Sequence, residues 1–191
     1  MVLGLLSPSW DYMSRRLLTA ICLAALGILN AATLERLLLD DMIRKSTLIV
    51  RGQVLSSRSS QHGSLIHTWF RVQVLEQWKG TRTSQAEVMV PGGRLAGLRQ
   101  TFSGAPKLLE GSEYVLFLWT GPSGRTQVIG FSQGVFDLKL DDAGQPIAVR
   151  GASTETMVDS RTGAGVRDED IRMTLTELRD RVLRVVGAAR Q

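Results

Sequence analysis

Residues 46–80 read STLIVRGQVL, SSRSSQHGS and LIHTWFRVQVLEQWKG in succession, and the fold class turns on this stretch. In its last part Ile66, Thr68, Phe70, Val72 and Val74 occupy alternate positions, with His67, Trp69, Arg71 and Gln73 between them. A period of two marks a strand with one buried and one wet face. Residues 48–55 form a shorter apolar strand. The polar run that joins the two, with Gly63 near its end, is too long for a two-residue turn and predicts a mobile surface loop.

Toward the C-terminus the strand signals continue. K-G-T-R-T-S is a turn, residues 86–90 (A-E-V-M-V) a third strand, and Pro91 its end. The segment that follows, with Gly92, Gly93, Gly97 and Gly104, predicts loop or bulged edge strand rather than helix. Residues 114–119 (Y-V-L-F-L-W) form a continuous apolar run, which implies burial on both faces. G-P-S-G-R then turns the chain into a strand at 126–131, S-Q-G breaks it, and residues 135–140 and 147–149 add two more. Residues 151–167 are poor in apolar side chains and predict a flexible linker.

Helices are expected at both ends. Leu34, Leu37, Leu38, Asp41 and Met42 fall at helical spacing within residues 33–45. Over residues 168–191, Ile171, Leu175, Leu178, Val182 and Val185 form an apolar stripe, Thr174 and Glu177 have capping-box spacing, and Asp168 offers an alternative start. Five to seven short strands flanked by helices predict a mainly β fold, a small barrel or sandwich, over residues 33–150.

The first 32 residues belong to a different category. Residues 1–12 lack periodicity and precede a second methionine, so initiation is expected at Met13. From there Arg15 and Arg16, a 13-residue apolar run at 17–29, and the small residues of N-A-A have the layout of a secretory signal peptide cut after Ala31 or Ala32. The run is shorter than the roughly 20 residues needed to span a bilayer. An uncleaved anchor is the alternative, and the only expected membrane contact. The sole cysteine, Cys22, lies in this run, which excludes an intramolecular disulfide and a cysteine-based zinc site. With 43% hydrophobic and 21% charged residues the body is globular in composition, and a net charge of +5 is spread along the chain rather than gathered into a polyanion site.

The order of elements resembles a known group. A helix entering T-L-I-V-R-G-Q-V, a long strand ending V-L-E-Q-W-K-G, a V-x-V strand with a Gly-rich loop, and E-G-S-E-Y-V-L-F-L together resemble the OB-fold barrels of netrin modules and tissue inhibitors of metalloproteinases. Uncharacterised exported bacterial domains have a similar V-L-K-G, P-G-G and G-E-x-x-L-L-F-L layout. The resemblance covers roughly residues 48–140 and implies a closed or partly open OB-like barrel. Inhibitors of that group chelate zinc through an N-terminal cysteine. No cysteine follows Cys22 here, so that activity does not carry over.

Chemistry is sparse. His62 and His67 are the only histidines, too few for a zinc site without converging carboxylates. Asp40-Asp41 and Asp141-Asp142 read as capping or turn residues, and Asp168, Glu169 and Asp170 as partners for the positive end of the last helix. No G-x-S-x-G elbow occurs, and Gly92-Gly93-Arg94 lacks phosphate-loop spacing. Trp69 and Arg71, on the wet phase of their strand, offer a stacking and cationic surface.

These observations predict an exported, non-enzymatic binding domain without metal or cofactor. Its partner would be a protein or another cell-envelope component, and its contact residues Trp69, Arg71, Gly92, Gly93 and Arg94. A peptidase-inhibitor-like module without the cysteine, and an OB-fold for single-stranded nucleic acid or glycan, are the alternatives; export argues against nucleic acid.

Overall fold

The computed structural model describes residues 33–189. The start at Met13, the signal segment with Cys22 and the cut near Ala32 lie outside the described residues. In chain order the elements are β1 (Leu34–Glu35), α1 (Leu39–Lys45), β2 (Leu48–His62), β3 (Leu65–Lys79), β4 (Gln85–Pro91), β5 (Gly93–Leu95) and β6 (Leu98–Gln100). After them come β7 (Glu113–Thr120), β8 (Thr126–Val128), a 3-10 turn at Phe131–Gly134, β9 (Val135–Leu140), β10 (Pro146–Arg150), β11 (Met157–Val158), β12 (Gly165–Val166), β13 (Ile171–Thr174) and α2 (Leu175–Ala188).

The fold is mainly β, and its main sheet closes on itself. β2 pairs with β3 and with β7, β3 with β4, and β7 with β8, all antiparallel. β8 then meets β4 in parallel at Met89 and Gln127, so the order runs β2-β3-β4-β8-β7 and returns to β2. From β7 the sheet also extends outward through β9 and β10 to β13.

Strand alternation sorts apolar side chains into two cores. Val54, Phe70, Val72, Val88, Leu116 and Leu118 pack together on the side turned into the ring. The opposite phase of β2 and β7, with Ile49, Val115 and Phe117, packs against α1, α2, β9 and β10 through Met42, Leu178, Val182, Phe136 and Ala148. Phe117 and Phe136 meet with centroids 5.4 Å apart and rings tilted by 43°, a favourable offset geometry. Tyr114 to Leu118 are therefore buried on both faces, as their unbroken apolar run predicts.

Closing a five-strand ring requires strong local coiling, and β2 supplies it at register shifts against β3 near Ile49, Gly52 and Val54. At Gly52 a β-carbon would sit 2.5 Å from Val72 Cγ1 and 2.7 Å from the Gln73 carbonyl oxygen. Only glycine lets the two strands cross so closely. Next to it Arg51 bridges Glu76 at 2.8 Å and Glu113 at 3.0 Å across three strands. The bond to Glu76 raises the Arg51 pKa above its usual value. Burial pulls Glu76 upward, but bonds from Arg51 and Trp78 outweigh it and leave the carboxyl below its ordinary range.

Several expectations are corrected. The serine-rich run is not a loop: Ser56 to His62 continue β2 and pair residue by residue with β3. Gly63 at φ 59° and Ser64 then close the hairpin, with the positive φ that a two-residue hairpin turn needs. The first helix covers Leu39–Lys45 alone, because Leu34–Glu35 pairs in parallel with Met157–Val158. That same pairing orders the 151–167 segment read as a linker: β11 also pairs with β12, and Asp168 and Asp170 accept from the backbone N–H groups of Ser153 and Ala152. The last helix starts at Leu175 rather than 168. Its capping box is the one anticipated, with Glu177 N–H donating to Thr174 Oγ1 and Thr174 N–H donating back to Glu177 Oε2. Ile171 belongs to β13, and Asp168 faces Arg150 instead of the helix end.

Candidate functional site

Register places five side chains in one lateral row across the outer side of the ring. Arg58 on β2 is opposite Trp69 on β3, Trp69 opposite Met89 on β4, Met89 opposite Gln127 on β8, and Gln127 opposite Trp119 on β7. Cross-strand partners share a face, so a distant set of residues becomes one stripe.

At one end the Arg58 guanidinium carbon lies 5.6 Å from the centroid of the Trp69 ring. Trp69 Nε1 donates to Ser60 Oγ at 3.0 Å, and Arg58 reaches Glu87 at 2.7 Å. The indole is thus half-buried with a face under a cation, and its orientation is set by the bond to Ser60 and the stacked Arg58. The exposed pair between Arg58 and Glu87 adds little stability of its own. At the other end Trp119 keeps 43% of its surface in water, although Phe117, two residues earlier on the same side, is fully buried.

Between these ends the row dips into two adjoining depressions. One, of about 590 Å³, is walled by Leu34, Leu37, Trp119, Val128, Ile129 and Phe131. The other, of about 300 Å³, is formed by His67, Met89, Pro91, Phe102, Pro106 and Phe131. Both sizes are near the range of small-ligand pockets, and Phe131 borders both. Met89 is only 5% exposed, so the middle of the row forms a floor rather than a ridge.

The wall is built by a local device. Gly130 and Phe131 both adopt left-handed φ, 62° and 59°, and for a bulky side chain this is a strained conformation. Gln133, 1% exposed, holds it: its Oε1 accepts from Leu37 N–H at 2.8 Å, and its Nε2 donates to the carbonyls of Glu35 at 2.9 Å and Gly130 at 3.2 Å. Ser132 N–H donates to the Gly104 carbonyl at 3.0 Å. The N-terminal strand, the Gly-rich loop and the 3-10 turn are thereby tied together around one half-exposed aromatic ring. The Lys45–Glu35 pair at 3.1 Å supplies charge at the rim.

The residues anticipated from sequence divide between two faces. Trp69 and Arg71 share the outer side, although the cation over Trp69 is Arg58, whereas Arg71 lies opposite Ser56 and Glu87. Gly92, Gly93 and Arg94 lie elsewhere. Thr68, of opposite phase to Trp69, donates to the Gly92 carbonyl at 2.8 Å, and a β-carbon on Gly93 would collide with Thr68, Ser59 and Ile66. These glycines let the β5–β6 hairpin lie close against β3, and Arg94 is exposed opposite Arg99. They form no common site with Trp69. His62 is exposed at the hairpin tip and His67 is half-buried in the smaller depression. Among the described residues no group of three His, Cys, Asp or Glu side chains is arranged to hold a metal ion.

Sequence reasoning missed Arg58, Met89, Trp119, Gln127 and Phe131. Arg58 sat in a run read as loop, and the row exists only through pairings between strands remote in the chain. A usable signal was the last residue of the 114–119 run: Trp119 is followed by Thr-Gly-Pro, where apolar cover runs out.

No family model matches the chain, and no curated protein or solved structure matches it either.

Proposed function

We propose that the chain is an exported, non-enzymatic binding module built on an OB-like barrel, and that it holds a protein or another cell-envelope component along the Arg58-Trp69-Met89-Gln127-Trp119 row. The barrel reading is supported by strand order. Numbering only the five ring strands, they neighbour one another as first, second, third, fifth, fourth and first again, with the third and fifth parallel. That is the partly closed Greek-key arrangement of OB-folds, whose open face and loops serve recognition.

The observation that carries the binding reading is the row itself: two part-exposed tryptophans joined through Met89 and Gln127 beside two depressions with mainly apolar walls, with a cation stacked at one end. Aromatic and arginine anchors around a recess are the usual composition of binding hot spots. Export rests on the basic and apolar pattern of residues 15–29.

The test uses the product recovered from the envelope or secreted fraction, with its start near Thr33 read by mass spectrometry, as bait for envelope extract. Trp69→Ala combined with Trp119→Ala should abolish capture and lower the unfolding midpoint by only a few degrees, whereas His62→Ala, at the exposed hairpin tip outside both depressions, should leave capture intact. Capture indifferent to the tryptophans, or a hydrolytic turnover lost with the histidines, would reverse the reading.

A further inference from the structure

The β5–β6 hairpin sets two arginines against each other. Arg94 and Arg99 are directly opposite in register and both exposed, and among the described residues neither is in an ion pair. Like charges facing each other across a strand pair are destabilising, and an anion supplied from outside removes that cost. The next pair, Leu95 and Leu98, leads into a turn at Ala96 and Gly97 with φ 48° and 80°, the left-handed pair of a tight two-residue hairpin. Leu98 keeps 63% of its surface in water.

This hairpin is fixed beside the turn of the β2–β3 hairpin. Ile66 N–H donates to Gln100 Oε1 at 2.7 Å, Gly92 N–H donates to the Ile66 carbonyl at 2.8 Å, and the neighbouring Leu65 is exposed. A β-carbon added at Gly63 or at Gly97 would meet nothing within 4 Å, so both turns stand clear of the body. The charge here is one-sided as well. No Asp or Glu occurs between Asp41 and Glu76 or between Glu87 and Glu110. Of the carboxylates that bound these stretches, Glu87 is engaged by Arg58 at 2.7 Å and Glu110 by Ser57.

We propose that these two turns form a docking edge for a bilayer that contains anionic phospholipid, with Leu98 and Leu65 entering the interface and Arg94 and Arg99 bound to headgroup phosphates. Charge complementarity selects a negative surface, and the leucines select a bilayer. Aliphatic side chains on free turns can enter the boundary of the acyl chains while the long arginine side chains keep their guanidinium groups among the headgroups. Single-stranded nucleic acid calls for stacking partners, and residues 59–66 and 92–101 contain no Phe, Tyr or Trp. A soluble polyanion would use the arginines and leave the leucines idle.

The product that serves as bait above is mixed with vesicles of phosphatidylcholine alone or of phosphatidylcholine and phosphatidylglycerol in equal parts, and binding is followed by sedimentation. The anionic vesicles are expected to bind it about tenfold more tightly, with the preference fading as salt is raised. Arg94→Gln with Arg99→Gln should remove the preference, and Arg94→Lys with Arg99→Lys should keep it. Leu98→Ser, at an exposed position, should weaken vesicle binding about tenfold while leaving any affinity for soluble polyphosphate unchanged. Equal binding to both vesicles, a Leu98→Ser variant that sediments like the parent, or tighter binding to polyphosphate than to the anionic vesicles would overturn the proposal. Every variant leaves Trp69 and Trp119 in place, so these outcomes are separate from those of the tryptophan row.

Discussion

β3 and β7 cross the same ring and turn the same kind of apolar row inward, yet their outer sides differ. On β7 the outer residues Val115 and Phe117 lie beneath α1 and α2 and are fully buried, whereas on β3 the outer residues Trp69 and Arg71 meet water. The boundary between the two regimes falls inside β7 itself, between Phe117 and Trp119. A second layer of cover, not residue type, decides whether an outward aromatic is core or open surface.

The comparison can be broken most directly at Phe117. Phe117→Ala removes a ring packed on Phe136 beneath both helices and is expected to lower stability by about 3–5 kcal/mol in chemical denaturation. If Trp119→Ala lost as much, the helical cover would extend further than described. Gly52→Ala probes the ring that both strands share, because its methyl group would press on Val72 and the Gln73 carbonyl. A loss of about 1–3 kcal/mol is expected from such overpacking, and a neutral result would mean that the strands cross less closely there. The smallest effect belongs to the open side. Trp69→Ala should cost about 1 kcal/mol, in keeping with an exposed cation–aromatic contact, and urea midpoints equal to those of Phe117→Ala would place the indole in the core.

Local rules made half of this architecture legible. Alternation at residues 66–74 marked the inner side of β3, the unbroken run at 114–118 announced a strand with two covers, and Thr174 with Glu177 located the last helix. What escaped was held by distant partners. Ser56 to His62 carry no strand-like composition and are extended because β3 lies beside them, while Glu110 accepts from both the backbone N–H and the hydroxyl of Ser57. Residues 151–167 are ordered by Leu34, far back in the chain, and by Asp168 and Asp170, which reach the N–H groups of residues 15 and 18 positions earlier. The tryptophan row was hidden for the same reason: the parallel contact of Met89 with Gln127 aligns Trp69 with Trp119, and parallel pairing leaves no turn signal in sequence.

The pairing of Leu34 with Met157, reinforced by Arg181 reaching Asp40 at 2.8 Å, also sets an order in time. A chain made or threaded from its N-terminus presents Leu34 well before the strand that must receive it, and contacts so far apart in sequence form slowly. Leu34 and Leu37, which wall the larger depression, must wait for the rest of the domain to assemble. The recess that carries the proposed binding row is thus missing from a partly made chain and is complete only when folding is.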